Sequence, residues 1–105
     1  MSKPVFTIRS IRELRTVDFE IPGSVTTPAI FAEAVSEIED QLSGPFVLLL
    51  NGRGPVWGYA MLIHAAHPTK AVATFDPRLG YVVRQTHDTQ FHVGQVIDKP
   101  VEQPQ

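Results

Sequence analysis

Apolar and polar positions change rhythm several times along this chain, and each change marks an element. Val5, Phe6 and Ile8 make a first short strand over Pro4 to Ile8. From Thr16 to Ile21, Val17, Phe19 and Ile21 alternate with Asp18 and Glu20, the period of two that marks a strand with one covered face. Between these strands Arg9, Arg12 and Arg15 are expected to gather in a solvated basic turn. The period then lengthens. Ile30, Phe31, Ala34, Val35, Ile38 and Leu42 recur at helical spacing, with Glu33, Glu37, Glu39 and Asp40 on the other face. Thr27 is placed to cap that helix, Pro28 takes the first position, where a missing N–H costs nothing, and Ser43-Gly44-Pro45 ends it.

Phe46 to Leu50 is apolar at every position, as expected of a strand covered on both faces. Asn51 to Pro55 turns into a second helix, roughly Val56 to Ala66, which Pro68 closes. Ala71 to Phe75 is another apolar strand, interrupted only by Thr74, so strand, helix and strand fill about thirty residues, the size of a βαβ unit. Asp76 to Gly80 has turn composition, Tyr81 to Gln85 returns as an antiparallel strand, and Val93 to Ile97 edges the sheet. The pattern predicts one α/β domain over residues 1–98: a small Rossmann-like mixed sheet with two main helices. A flexible polar tail is expected over 99–105.

Composition narrows the function classes. With 105 residues and 43% apolar content, the chain builds one modest core. The absence of cysteine removes disulfides and thiolate metal sites and fits an intracellular setting. No apolar run is long enough to cross a bilayer, and Met1-Ser-Lys-Pro4 lacks the layout of a signal peptide, so a cytoplasmic protein without a membrane partner is expected. A net charge of −2 and a pI near 6.0 speak against the broad basic face that long nucleic acids need. A small anion, met by local charges, is compatible with both values.

Candidate chemistry concentrates between residues 51 and 87. Gly52-Arg53-Gly54 follows a buried strand and opens a helix, which suits close approach to phosphate, although a tight strand-to-helix turn explains glycines equally well. Asp76-Pro77-Arg78 follows the next buried strand. It supplies a metal ligand or base beside a phosphate clamp, or else a simple turn in which Arg78 pairs with Asp76 or Asp98. His64 and His67 share a helix face, and His87 follows a strand that could bring it to them. His92 is assigned to the surface, and Trp57, Tyr59, Met61 and Ile63 to core and subunit contact in preference to a base-stacking platform. In a βαβ unit, Arg53 and Asp76 lie at one end of the sheet. The histidines lie about 15–18 Å away, at 1.5 Å per helical residue. A site using both ends is then composite, formed when two subunits or dimers stack head-to-tail.

Asn51-Gly-Arg-Gly-Pro-Val-Trp57, the His64/His67 pair, Phe75-Asp-Pro-Arg-Leu-Gly80 and Val82-Val-Arg-Gln-Thr-His87 occur in this order. Together they resemble the Csx-three (CRISPR ring nuclease three) family of CRISPR accessory proteins over residues 51 to 98. The resemblance implies a dimeric variant of the CRISPR-associated Rossmann fold that cleaves cyclic tetra-adenylate (cA4), the messenger of type III CRISPR interference, with manganese. It implies catalytic roles for His67, Asp76 and Arg78. It implies metal binding by His64, Asp76 and His87, and a ligand surface at Asn51, Gly52, Arg53 and Gly54. A homodimer stacking into a tetramer or filament around the ligand is also implied. Two other activities fit similar groups: a manganese-dependent exoribonuclease that trims 3′ adenosines from short RNA, and a non-catalytic cyclic oligoadenylate sensor.

Overall fold

The computed structural model describes residues 1–100. Six strands form one sheet in chain order: β1 (Val5–Ile11), β2 (Leu14–Glu20), β3 (Val47–Gly52), β4 (Ala71–Asp76), β5 (Gly80–Thr86) and β6 (Val96–Ile97). The central strands β2, β3 and β4 run parallel, while β1, β5 and β6 each pair antiparallel to their neighbour. Helix α1 (Pro28–Ile38) joins β2 to β3, and α2 (Val56–Ala65) joins β3 to β4. Because the parallel strands follow in chain order, crossovers of one hand put both helices on the same face. The mixed α/β sheet with two helices is the architecture the pattern predicts.

The period of two sorts each strand between two cores. Toward the helices, Val17, Phe19, Leu48, Leu50 and Val72 pack with Phe31 and Val35 of α1 and Leu62 of α2. Toward the other face, Val47, Leu49, Ala71, Ala73, Tyr81 and Val83 form a second cluster under Phe91 and Ile97 of the C-terminal segment. This two-sided covering explains why β3 and β4 are apolar at consecutive positions. Thr27 caps α1 by accepting from the Ile30 N–H at 3.2 Å, with Pro28 in its first turn.

Several expected boundaries move. Arg9 and Arg15 lie in strands, because β1 and β2 close in a hairpin whose turn is only Arg12 and Glu13, with Arg12 left-handed at φ 57°. Arg15 lays its guanidinium 4.1 Å from the Phe46 ring centroid and donates to the Gln41 carbonyl at 3.0 Å. The cation is therefore a lid on the core edge rather than part of a solvated turn. Helix α1 stops at Ile38, and Glu39–Leu42 tightens into a 3-10 turn that buries Leu42. The edge strand shrinks to Val96–Ile97, since Val93 and Gly94 form the turn before it. Of the expected tail, residues 101–105 lie outside the described part.

Candidate active site at two poles of the sheet

The loops after β2, β3 and β4 line one edge of the sheet, at the carboxyl ends of its parallel strands, where ligands of open α/β sheets collect. Phe19 pairs with Gly52 across β2 and β3, and its ring lies beneath the turn that follows. A Cβ on Gly52 would fall 2.6 Å from both the Phe19 carbonyl oxygen and its ring, and one on Gly54 would fall 2.6 Å from the same ring. Glycine is therefore required here for packing, whatever else the turn does. The Tyr59 hydroxyl donates to the Gly52 carbonyl and ties the turn to α2. Burial raises the Tyr59 pKa above its ordinary value, and Asp18 adds to the rise while the Gly52 hydrogen bond opposes it.

The four residues of the turn point different ways. Arg53 is exposed and forms no hydrogen bond or ion pair among the described residues, beside the first turn of α2. Asn51, at the end of a strand of alternating faces, instead lines a polar cleft on the helix-free side with Thr16, Asp18, Tyr81 and Lys99. The Asp18–Tyr81 neighbourhood was not visible in the sequence, since it joins β2 to β5 across two intervening strands.

Asp76 and Arg78 occupy the same edge. The Asp76 Oδ1 accepts the Arg78 N–H at 2.8 Å and the Leu79 N–H at 3.2 Å, so the carboxylate is locked into its own turn. One carboxylate oxygen is left to face a ligand. The exposed Arg78 guanidinium pairs with neither Asp76 nor Asp98 and extends from the turn. The exposed guanidinium is suited to bind a phosphoryl group and balance its charge, and the fixed carboxylate beside it to hold a metal ion or take a proton.

The histidines stand at the opposite edge. Lys70 O accepts the His87 N–H at 2.9 Å, which holds the end of β5 beside the entry to β4. There His67 Nδ1 and His87 Nε2 lie 3.2 Å apart, with the rings crossing edge to face at 4.7 Å between centroids. One nitrogen donates and the other accepts, leaving His67 Nε2 for solvent or a ligand. His64 does not join this pair. It lines the groove between α1 and α2 with Met61, Glu39 and His67. Helix α2 ends at Ala65, so His67 has left the helical register that would stack it on His64.

The six residues of β4, at about 3.3 Å each, put roughly 20 Å between the Asp76–Arg78 pole and the His67–His87 pole. His64, Asp76 and His87 therefore do not converge within one chain. Among the described residues, no three His, Cys, Asp or Glu side chains gather closely enough to hold a metal ion. The His67–His87 nitrogens do stand at the separation of two ligands each about 2.1 Å from a shared first-row ion. Two imidazoles with a carboxylate from elsewhere would make a donor set that such ions accept.

With both poles placed, the comparison with known proteins becomes informative. The family model described as "CRISPR-associated protein (Cas_csx3)" matches residues 24–98. The chain belongs to this Cas_csx3 family. The matched span contains α1, α2, β3 to β6 and all residues of both poles, while β1 and β2 precede it. A curated relative, an "Uncharacterized protein" of Aquifex aeolicus (strain VF5), is 46% identical over 61 residues. That match covers 57% of this chain and 54% of the relative, so this Cas_csx3 chain spans about half the length of the protein it resembles. No helix among the described residues of this family member is long and apolar enough to cross a membrane.

Proposed function

We propose that this Cas_csx3 protein is a ring nuclease that binds cyclic tetra-adenylate and opens it to linear products, switching off a type III CRISPR antiviral signal. The observation that carries the proposal is the separation of the poles. Groups suited to moving a proton and groups suited to holding a phosphoryl oxygen stand at opposite ends of one strand. They come together only if the histidine edge of one copy faces the Asp76–Arg78 edge of another. A ring of four nucleotides presents phosphates and bases on both of its faces, and a head-to-tail stack of dimers offers it two such edges. Local arginines and helix N-termini meet its four charges even though the whole chain is slightly acidic.

In this arrangement Arg78 stabilises the charge that grows on the phosphoryl oxygens. Asp76, held by its two backbone N–H groups, keeps one oxygen aimed at the reacting centre. His67 takes the proton of the attacking oxygen through Nε2, and His87 fixes its ring and tautomer through Nδ1. The attacking oxygen forms a bond to phosphorus, and the ribose 5′ oxygen departs and acquires a proton. Manganese, for which His64 and His87 of one copy and a neighbour's Asp76 would be the ligands, would add Lewis-acid charge.

The test is direct. Cyclic and linear tetra-adenylate are incubated separately with the protein, with and without manganese, and the products are resolved by chromatography. Loss of the ring into linear adenylates is expected. A 2′,3′-cyclic phosphate end marks attack by ribose, and a phosphate monoester marks attack by water. Shortening of the linear RNA alone would replace the proposal with a 3′ deadenylating exoribonuclease. Tight binding without any product would replace it with a sensor.

A further inference from the structure

The loops at the Asp76–Arg78 edge also enclose a recess that neither pole uses. It measures about 430 Å³ and lies between the loop after β2, which supplies Ser24, Val25 and Thr26, and the start of α2, which supplies Pro55 and Trp57. Trp57 is the chain's single tryptophan. The indole meets the Phe31 ring nearly perpendicularly, 5.7 Å between centroids, yet 36% of the residue remains exposed. Arg53 lines the same recess, exposed and unpaired among the described residues. Pro55 gives α2 no side-chain cap, and while Gly58 and Tyr59 donate to its carbonyl, the N–H groups of Val56 and Trp57 are left unpaired. The Thr26 hydroxyl is enclosed beside the recess with no hydrogen-bond partner.

We infer that this recess seats one unpaired nucleobase of the ligand on the Trp57 indole, with the adjoining phosphate over Arg53 and the α2 N-terminus. The inference rests on the ring-nuclease reading for the identity of the ligand, and adds to it a binding residue at α2. A partly exposed indole braced against Phe31 is a platform for a flat π-face. A planar guanidinium and a helix N-terminus immediately beside it suit the phosphate of the same nucleotide. The loops after β2, β3 and β4 lie side by side along the edge, so a strand of nucleotides running from Trp57 passes Arg53 and reaches Arg78. Stacking accepts any base. The seat accordingly supplies affinity and register rather than selectivity for adenine. Trp57 touches ligand at a distance from the scissile bond, and its loss is read in binding.

The sole tryptophan reports on its own occupancy. Phosphorothioate-linked cyclic tetra-adenylate, which resists cleavage, is titrated into the protein while indole emission and calorimetric heat are followed in parallel. Saturable quenching that tracks the heat is expected. Trp57→Leu should weaken calorimetric affinity on the order of tenfold, and Trp57→Phe, which keeps an aromatic face, should stay close to the parent. Thermal melts confirm that both variants are folded. Binding heat with unchanged emission, or equal affinity for Trp57→Leu and the parent, overturns the seat and leaves the ring-nuclease reading standing. No binding heat at all overturns both.

Discussion

A site divided between copies makes a quantitative forecast about mixtures of inactive proteins. His67→Ala removes the imidazole pole and leaves Asp76 and Arg78 intact, while Asp76→Ala does the reverse. The roughly 20 Å along β4 means that neither variant repairs itself. In an equimolar mixture, each stacked site draws its imidazole edge from either variant with equal chance, and its carboxylate edge likewise. About one site in four then combines two intact edges, so recovered activity should approach a quarter of the parent value. The same fraction follows whether subunits exchange within dimers or whole dimers stack at random. The assay is ring opening at fixed total protein, measured for each variant alone and for the mixture. Pairs from one pole serve as controls: Asp76→Ala with Arg78→Ala, or His67→Ala with His87→Ala, should recover nothing. Silence in the opposite-pole mixtures, or equal recovery in the same-pole ones, would refute the shared site.

Three further outcomes follow from the geometry. Gly52→Ala puts a Cβ 2.6 Å from the Phe19 carbonyl oxygen, where ordinary contact begins near 3.4 Å, so β2 and β3 must separate. A loss of about 1–3 kcal/mol is expected, read as a lower thermal midpoint, and an unchanged midpoint would contradict the close approach. Burial raises the pKa of Tyr59 and Tyr81 above 10.0, with Asp18 contributing to both. The unfolded phenols then ionise first, so their stabilisation is complete below about pH 10 and declines as pH climbs through the raised folded values. Denaturant midpoints across that range should fall, and less steeply for Tyr59→Phe. Arg53→Ala should weaken ligand affinity about tenfold, the worth of one charge-assisted contact, with less change in turnover at saturation. Equal affinity would remove Arg53 from the binding surface.

How much of this was legible in the chain depended on whether the signal was local. Strands β3 and β4 stood out because burial on both faces leaves Thr74 as the one polar residue within Val47–Leu50 and Ala71–Phe75. Thr27-Pro28 announced α1 through capping chemistry confined to one turn. The β1–β2 hairpin was harder. Its arginines resemble a solvated turn, and only tertiary packing reveals that Arg15 covers Phe46. The separation of Arg53 and Asp76 from the histidines followed from the βαβ order alone. The His67–His87 contact needed more than that order. It depends on where α2 releases the chain, which Pro68 marked only to within a residue, and on the irregular β4–β5 register at Val72/Ala73, which has no residue signature. The recess at Trp57 stayed hidden for a related reason. An aromatic on an apolar helix looks like core until the loop after β2 is seen to leave one side of it open.

The β4–β5 hairpin, with a carboxylate turn at one tip and an imidazole at the other, has a consequence for how such a catalyst is governed. If turnover needs both tips of neighbouring copies, isolated protomers are silent, and specific activity must fall on dilution. Output would then climb faster than linearly as the protein accumulates, which makes cellular abundance itself the throttle. A cell could leave a sparse pool idle while an alarm signal is useful, and end the alarm simply by making more of the chain.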